Sequence, residues 1–208
     1  RVLFRSSVSV TNQLGVDSLV PLQQPRNVGR RPDNLTAEDL AVLLEQGDII
    51  AVDKIDDLQR TIVKVSDGEH TLDAIFSKTK GRGFNPGVAA YRLDRLLELD
   101  MVPVTVMREV DGSDGSLQFL PDNSIDEAKR SATGQGGGAW CALTDQWPAM
   151  YVFDVLVYNE ARSQHRIMYD TSSWRLMLSE HERTFSSKKG RPAHLKNTSI
   201  PVSPGWKN

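Results

Sequence analysis

The sequence predicts an α+β fold, in which an antiparallel sheet with one inserted helix precedes a second half of helices and a strand pair. Three short β-type runs follow one another, at Ile49–Ile55, Thr61–Val65 and Thr71–Phe76. The Asp67-Gly68 pair between the last two runs is a strong hairpin signal. Because strands joined by such short turns pair antiparallel, we expect a three-stranded meander here.

Two helices of the first half carry their own start signals. Thr36 and Asp39 form a box-like pair at the start of a helix predicted over Thr36–Gln46, and Gly47 stands at the position that ends it. Asn85-Pro86 opens a second helix that runs through Glu98, because proline suits the first helical position. The first helix is therefore expected to precede the meander, and the second to follow it.

The remaining elements are predicted from apolar periodicity and turn residues. They are strands at Met101–Val110 and Ser116–Leu120 around a turn at Asp111–Gly115, a short helix near Ile125–Ser131, a Gly-rich linker at Gly134–Gly138, a helix at Thr144–Asn159, and a strand pair at Ile167–Tyr169 and Trp174–Leu178. Residues 1–33 lack sustained periodicity, and the predicted arm covers residues 1–35. We expect them to form an extended N-terminal arm that is ordered only where something holds it.

Composition argues against several classes of partner and site. The 208-residue chain has a net charge of −2, which disfavours nucleic acid as its main partner. The run Lys188-Lys189-Arg191 is interpreted as a solvated basic face. Cys141 is the only cysteine of the sequence, so neither an intrachain disulfide nor a thiolate metal cluster is expected. No apolar run approaches the roughly 20 residues needed to span a bilayer.

The stretch Tyr151–Phe185 concentrates polar residues at the ends of apolar elements. An apolar helix leads into the polar loop Asn159–Arg166, and the strand pair leads into a second polar turn containing Glu180 and His181. A helix and a hairpin that each deliver a polar segment can bring two sets of groups into one cleft. This stretch is therefore the predicted centre of the functional site.

Four landmarks carry a resemblance to a known family. They are VAAYRLDRLLELDMVPVTV (88–106), GSLQF (115–119), FDVLVYN (153–159) and the W-x-L-x-L-x-x-H-x-x-x-F run from Trp174 to Phe185. In order and spacing they resemble the atypical protein-kinase-like fold, in the HipA-like and phosphatidylinositol-kinase-like branch that includes secreted Golgi-type kinases. The resemblance covers about residues 36–200.

The resemblance implies a two-lobed kinase-like fold. An antiparallel-sheet N-lobe and its hinge would occupy residues 36–120, with the hinge at 116–120. A shortened, mostly helical C-lobe would occupy residues 121–208, and residues 1–35 would be the arm. Kinase-like C-lobes normally continue with more helices, so the resemblance implies either a fragment or a partner that covers the exposed face. We expect protein subunits to contact the arm and the open face of the C-lobe.

Active members of the family use five groups, and this chain departs from each of them. Ser77 stands at the phosphate-binding lysine, Gly87 at the helix glutamate, Ala161 at the acceptor-facing aspartate, Arg166 at the metal-binding asparagine and Glu180 at the second metal-binding aspartate. Phosphoryl transfer depends on positioning and on neutralising negative charge. The resemblance therefore implies a pseudokinase that binds partners without catalysis, and neither a metal site nor a cofactor is expected.

The alternative is an atypical ATP-dependent kinase or nucleotidyl transferase with relocated residues. Lys78 or Lys80 would then grip the phosphates, and Glu160 and Glu180 would hold Mg²⁺ or Mn²⁺. If nucleotide binds, Lys78, Gln118 and Glu180 are the candidate contacts. Lys78 is a poor substitute for the family's lysine, whose position is occupied by Ser77, because a shift of one residue along a strand points the side chain to the opposite face.

Four side chains of the central stretch have competing interpretations. Arg166 and Glu180 either form a salt bridge that replaces the metal or face water separately. Asp154 lies inside an apolar helix and is expected to hydrogen-bond the loop backbone rather than to catalyse. His181 is expected to cap or pack a turn, and the alternative is a role as a metal ligand or general base.

Overall fold

The structure, a computed structural model, describes residues 35–55, 60–79, 83–136 and 143–200. Over these ranges the chain forms a five-stranded antiparallel sheet and a three-stranded antiparallel sheet, with helices packed against both. The fold is α+β, as the sequence predicts. Apart from Leu35, the predicted N-terminal arm lies outside the described residues.

The elements are numbered in chain order. They are α1 Ala37–Gln46, β1 Asp48–Ile55, β2 Arg60–Ser66, β3 Thr71–Lys78, α2 Pro86–Leu96, β4 Thr105–Val110, β5 Ser113–Leu120, β6 Ser124–Asp126, α3 Glu127–Thr133, α4 Leu143–Leu156, β7 Ile167–Asp170 and β8 Leu176–Leu178, with 3₁₀ turns at Gln164–Arg166 and Ala193–Leu195. The strand order is β1-β2-β3-β5-β4 in the first sheet and β6-β7-β8 in the second. Every pairing between these strands is antiparallel.

Helix α1 begins with the predicted capping box. Asp39 N donates to Thr36 Oγ1 at 3.1 Å, and Thr36 N donates to Asp39 Oδ2 at 3.0 Å. Gly47 ends the helix in an extended conformation, with φ −61° and ψ 157°, rather than in the left-handed conformation usual at this position. A Cβ there would lie 2.6 Å from Leu43 O and 2.8 Å from Val65 Cγ1. The glycine is therefore required by close packing rather than by its backbone angles.

The first sheet is apolar on the face that α1 covers. The buried side chains of this core are Leu40, Leu43 and Leu44 of α1, Val63 and Val65 of β2, Leu72 and Ala74 of β3, Val106 and Val110 of β4, and Leu117 and Phe119 of β5, together with Val104. Burying a leucine side chain stabilises a fold by roughly 1.5–3 kcal/mol. The three leucines of α1 thus account for much of the attachment of the helix.

The opposite face of the first sheet is polar where β3 and β5 pair. Ser77 lies across from Ser116, and Ile75 lies across from Gln118. Ser116 and Gln118 are both buried. Because side chains alternate between the faces of a strand, these polar groups point away from α1. Ser77 finds its partner in the second half of the chain, at Glu182, whereas Gln118 donates to Thr105 of the neighbouring β4.

Helix α4 and the second sheet build a second core with α2. Its buried side chains are Ala90, Met101, Val102, Ile125, Met150, Phe153, Val157, Ile167, Tyr169, Leu176 and Leu178. The hydroxyl of Tyr169 lies at its edge and accepts a hydrogen bond from Trp147 Nε1 at 3.1 Å. This core holds α4 in place, and the polar loop that follows α4 is positioned by it.

A small apolar cluster joins the two sheets. Ile75 of β3 packs with Met168 of β7 and Met177 of β8, and all three side chains are buried. Ile62 and Leu120 pack against their edges. The polar face of the first sheet is thereby pressed against the segments that enter and leave the second sheet, and the predicted site lies at this junction.

The largest boundary differences from the sequence prediction in the first half are at the starts of β4 and β5. Strand β4 begins at Thr105 rather than Met101, because Pro103 has no N–H to donate to a ladder. The predicted five-residue turn contracts to Asp111-Gly112, whose φ angles of 50° and 70° are typical of a two-residue type I′ hairpin turn. Strand β5 accordingly begins at Ser113.

The second half is less helical than predicted. Ile125 and Asp126, placed in a helix by the sequence prediction, instead belong to β6, which pairs with β7, and Asp126 then caps α3 by accepting from Lys129 N at 2.7 Å. Helix α4 ends at Leu156 rather than Asn159. A three-stranded sheet thus stands beside α3 and α4. None of the helices in the described ranges combines the length and apolarity required to cross a membrane.

Candidate functional site

Glu180 is bound by two arginines from different parts of the chain. Its Oε1 accepts from Arg60 Nε at 2.9 Å, and its Oε2 accepts from Arg166 Nε at 2.7 Å. The side chains of Glu180 and Arg60 are only 9% and 8% exposed. We call these three residues the Glu180 cluster. Of the two alternatives left open by the sequence for Arg166 and Glu180, the structure shows the salt bridge rather than separate exposure to water.

The two arginines also bind the backbone of the polar loop. Arg60 donates to His165 O through Nη2, and Arg166 donates to Ala161 O through Nη1 at 2.9 Å. Arg60 opens β2 on the first sheet, whereas Glu180 follows β8 with a left-handed φ of 57°. This backbone conformation is strained for a glutamate and persists only where surrounding contacts hold it. The two arginines supply such contacts through the carboxylate. The cluster therefore ties the first sheet, the polar loop and the turn after β8 together.

Asp154 of α4 fixes the start of the polar loop. It is fully buried, and Arg162 donates to both of its oxygens, at 2.9 and 3.0 Å. Asn159 Nδ2 donates to Oδ1 at 3.1 Å, and His194 Nε2 lies 3.2 Å from Oδ2. The prediction that Asp154 hydrogen-bonds the loop backbone is therefore wrong, because its carboxylate meets these side chains instead.

Charge and burial act in opposite directions on Asp154. Burial raises the pKa of this carboxyl, but the charge of Arg162 and the hydrogen bonds from His194 and Arg162 outweigh burial and lower the pKa to about 2. Asp154 is consequently ionised at neutral pH and paired with Arg162. That pair orients the loop and leaves no oxygen of Asp154 without a donor.

His181 packs beside this pair as a neutral side chain. Its ring meets Phe153 edge-on, with centroids 5.9 Å apart. Arg162 Nη2 lies 3.2 Å from His181 Nε2, and because arginine only donates, Nε2 must accept. Complete burial, reinforced by the charge of Arg162, lowers the pKa of His181 to about 3. The expected packing role is confirmed.

Ser77 and Gly87, two further positions at which the chain departs from the family it resembles, both lie beside Ser116. Ser77 lies directly across from Ser116, and a Cβ added to Gly87 would lie 2.8 Å from Ser116 Oγ. Ser77 Oγ donates to Glu182 Oε1 at 2.6 Å. The serine thus binds the turn after β8 directly, and the start of α2 lies too close to β5 to hold a glutamate at position 87.

Lys78 and Gln118, the candidate nucleotide contacts, lie on opposite faces of the first sheet. Lys78 is exposed and pairs with Gly115, where an added Cβ would meet the ring of Phe76. Lys78 therefore shares the face of Phe76 and points away from Ser77. Gln118 Nε2 donates to Thr105 Oγ1 at 3.0 Å, while no described group donates to its buried Oε1.

The carboxylates proposed as relocated metal ligands each face a cation. Glu160 is paired with Lys188, and Glu180 with Arg60 and Arg166. Within the described ranges, no group of three or more His, Cys, Asp or Glu side chains is arranged to hold a metal ion. Lys80, the other candidate phosphate ligand, lies outside the described residues.

Sequence reasoning missed Arg60 and Glu182. Arg60 stands 120 residues before Glu180 in the chain, and Ser77 stands 105 residues before Glu182. The available signal was weak, because an arginine at the start of an alternating strand is normally interpreted as a solvated edge residue.

Comparison of the sequence with models of known protein families and with curated proteins finds no match.

Proposed function

We propose that the chain is a non-catalytic, kinase-like binding module that serves as a subunit in the assembly of a larger protein complex. The observation that carries this proposal is the Glu180 cluster. In the family that the sequence resembles, an aspartate at the position of Glu180 binds the metal. Here both oxygens of Glu180 accept from guanidinium groups, at 2.9 and 2.7 Å. Two fixed positive charges beside the carboxylate oppose the approach of a divalent cation.

The remaining substituted positions support the same proposal. Ser77 carries no positive charge to offer a phosphate, and its hydroxyl already donates to Glu182 at 2.6 Å. Gly87 has no room for the glutamate that would pair with a lysine. Ala161 lacks an ionisable side chain, and Arg166 places a cation where asparagine would bind metal. Relocated catalysis by Glu160 and Glu180 has less support, because each is already paired with a cation.

The arrangement of two sheets, each packed with helices, supports the kinase-like part of the proposal. In this proposal the first sheet with α2 is the upper lobe, and the second sheet with α4 begins the lower lobe. The apolar cluster of Ile75, Met168 and Met177 would then fill the junction that in an active kinase borders the nucleotide. Partner proteins would contact the N-terminal arm and the open face of the lower lobe.

A thermal-shift titration of the full chain with ATP and Mg²⁺ or Mn²⁺ tests the proposal. A ligand at about 100 times its dissociation constant stabilises a fold by about 2.7 kcal/mol. For a chain of this size that corresponds to a rise in Tm of roughly 5–10 °C. We expect no metal-dependent rise in Tm, and a rise of that size would contradict the proposal.

The double variant Arg166→Asn/Glu180→Asp is the matched comparison. It restores the asparagine and the aspartate of the family pattern at the two metal-binding positions. If those two positions are what excludes the metal, ATP with Mg²⁺ will raise the Tm of the variant more than that of the native chain. ATP with EDTA serves as the control in both proteins, since the gain should require the metal.

A further inference from the structure

The segment after the Glu180 turn is basic and displays aromatic side chains. Residues 183–208 contain six Lys and Arg residues and no Asp or Glu, although the whole chain has a net charge of −2. In its described part, Arg183, Lys188 and Lys189 are exposed. Phe185 stands between them, 37% exposed, and meets the 54% exposed Phe84 edge-on with centroids 5.7 Å apart. We call these five residues the basic surface.

The members of the basic surface lie close together and hold an exposed ring at its centre. Glu160 N donates to Arg183 O at 3.1 Å, and the Glu160 carboxylate is paired with Lys188. Phe185 has a left-handed φ of 57°, a strained conformation for a bulky side chain. The ring packs edge-on against Phe84, and the two rings leave an exposed apolar patch beside the cations. The pairing of Lys188 with Glu160 illustrates that these cations suit a carboxylate partner.

A complementary surface exists on helix α1. Glu38, Val42 and Glu45 follow one another at helical spacings of four and three residues, so they form one stripe. All three are exposed, and Val42 is 50% exposed. The stripe lies opposite the leucines that attach α1 to the sheet. We call it the acidic stripe, and it combines carboxylates with an aliphatic side chain where the basic surface combines cations with aromatic rings.

The two surfaces cannot meet within one chain. Helix α1 packs on one face of the first sheet, whereas the second half of the chain, which carries residues 183–189 of the basic surface, packs on the other face through Ile75. The N-terminal arm is no substitute for the stripe, because residues 1–34 contain more Arg than Asp and Glu residues. A second copy of the chain, by contrast, presents the acidic stripe to the basic surface of the first.

We propose that copies of this chain associate head to tail, with the basic surface of one copy on the acidic stripe of the next. The inference rests on the proposed function only in treating the chain as an assembly module. Such a contact joins two different surfaces, so it does not close on itself as a two-fold dimer does. Since the contact is largely between exposed charges, salt weakens it.

Sedimentation velocity of the full chain over a wide range of protein concentration tests the inference. We expect association that grows with concentration and weakens about tenfold or more between about 0.05 M and about 0.5 M NaCl. A chain that stays monomeric at every concentration in low salt would overturn the inference. If that monomeric chain binds a glutamate- and leucine-rich peptide or an oligothymidylate, the basic surface serves a different acidic partner and the inference is equally overturned.

A charge-swap pair supplies the matched controls. The variant Arg183→Glu/Lys189→Glu carries two acidic surfaces, and the variant Glu38→Lys/Glu45→Lys carries two basic ones. Each is expected to be monomeric alone, and an equimolar mixture is expected to associate. Failure of the mixture to associate, with both variants folded by circular dichroism, would contradict the inference. The ATP titration measured on the same samples reports on the proposed function separately, because none of the four positions lies in the Glu180 cluster.

Discussion

Asp94 shows how one buried side chain sets a pH dependence without belonging to the site. It lies on α2 with no exposed surface, and its Oδ1 accepts from Met101 N at 2.9 Å. Burial raises the pKa of Asp94 to about 7, although the N–H groups of Met101 and Val102 act in the opposite direction. The neighbouring Asp100 charge adds to the rise. The folded chain therefore binds a proton at Asp94 that the unfolded chain releases near pH 4.

Asp94→Asn is expected to stabilise the protein increasingly as the pH rises. Because the folded-state pKa is raised, the native chain loses stability between about pH 4 and pH 7, whereas asparagine does not titrate. The free energy of unfolding of the variant should match that of the native chain near pH 4. It should exceed it by on the order of 4 kcal/mol at pH 8. Urea denaturation across this range measures the difference.

The effect of His181 cancels in that comparison, since its lowered pKa is present in both proteins. Asp114→Asn, at an exposed position on β5, is the control. A difference between native chain and Asp94→Asn variant that stays constant with pH, as expected for the control, would show that Asp94 is already ionised in the fold.

The elements of this chain are specified mainly by local signals, which is why most were predictable. The capping box fixes the start of α1, and Asp67-Gly68 fixes the β2–β3 hairpin, with Gly68 at a φ of 93°. Long-range pairing was harder to predict. Ser124–Asp126 is a strand only because β7, more than 40 residues later, offers it a partner.

The candidate site was predictable in part for the same reason. Arg166 and Glu180 lie on either side of one strand pair, so their salt bridge could be proposed from position along the chain. Arg60 comes from another sheet. Nothing local distinguishes it from Lys64, which lies on the same strand β2 and pairs with Asp73 of β3. Which arginine completes the cluster is decided by how the two sheets pack.

Gly87→Ala tests the close packing of α2 on β5. In an open first turn alanine would stabilise the helix, but here the new Cβ would lie 2.8 Å from Ser116 Oγ and 3.2 Å from its Cβ. We expect the substitution to lower the free energy of unfolding by about 1–3 kcal/mol. A double-mutant cycle with Ser116→Ala, followed by urea denaturation, should recover part of the loss. If the two effects simply add, Gly87 and Ser116 are not in contact.

At the scale of the whole molecule, α2 packs into the second core, whereas the first sheet itself meets the second half through a small apolar cluster and a few charged contacts. Ile75, Met168 and Met177 supply the apolar part. The Glu180 cluster and the bond from Ser77 to Glu182 supply the polar part. Because the apolar cluster is small beside the two main cores, the polar contacts should decide how firmly the first sheet is held against the second half.

Glu180→Ala is expected to lower the free energy of unfolding by about 3 kcal/mol, because it leaves the buried Arg60 and the partly exposed Arg166 without their carboxylate. Glu160→Ala removes a carboxylate from a more exposed pair with Lys188 and should lower the free energy of unfolding by under about 1 kcal/mol.

Hydrogen exchange locates the effect. In Glu180→Ala, amides of β2 and of the polar loop should exchange faster, whereas those inside α1, which packs on the far face of the sheet, should not. Equal destabilisation by the two substitutions, or faster exchange spread evenly over the chain, would mean that the Glu180 cluster does not join the halves.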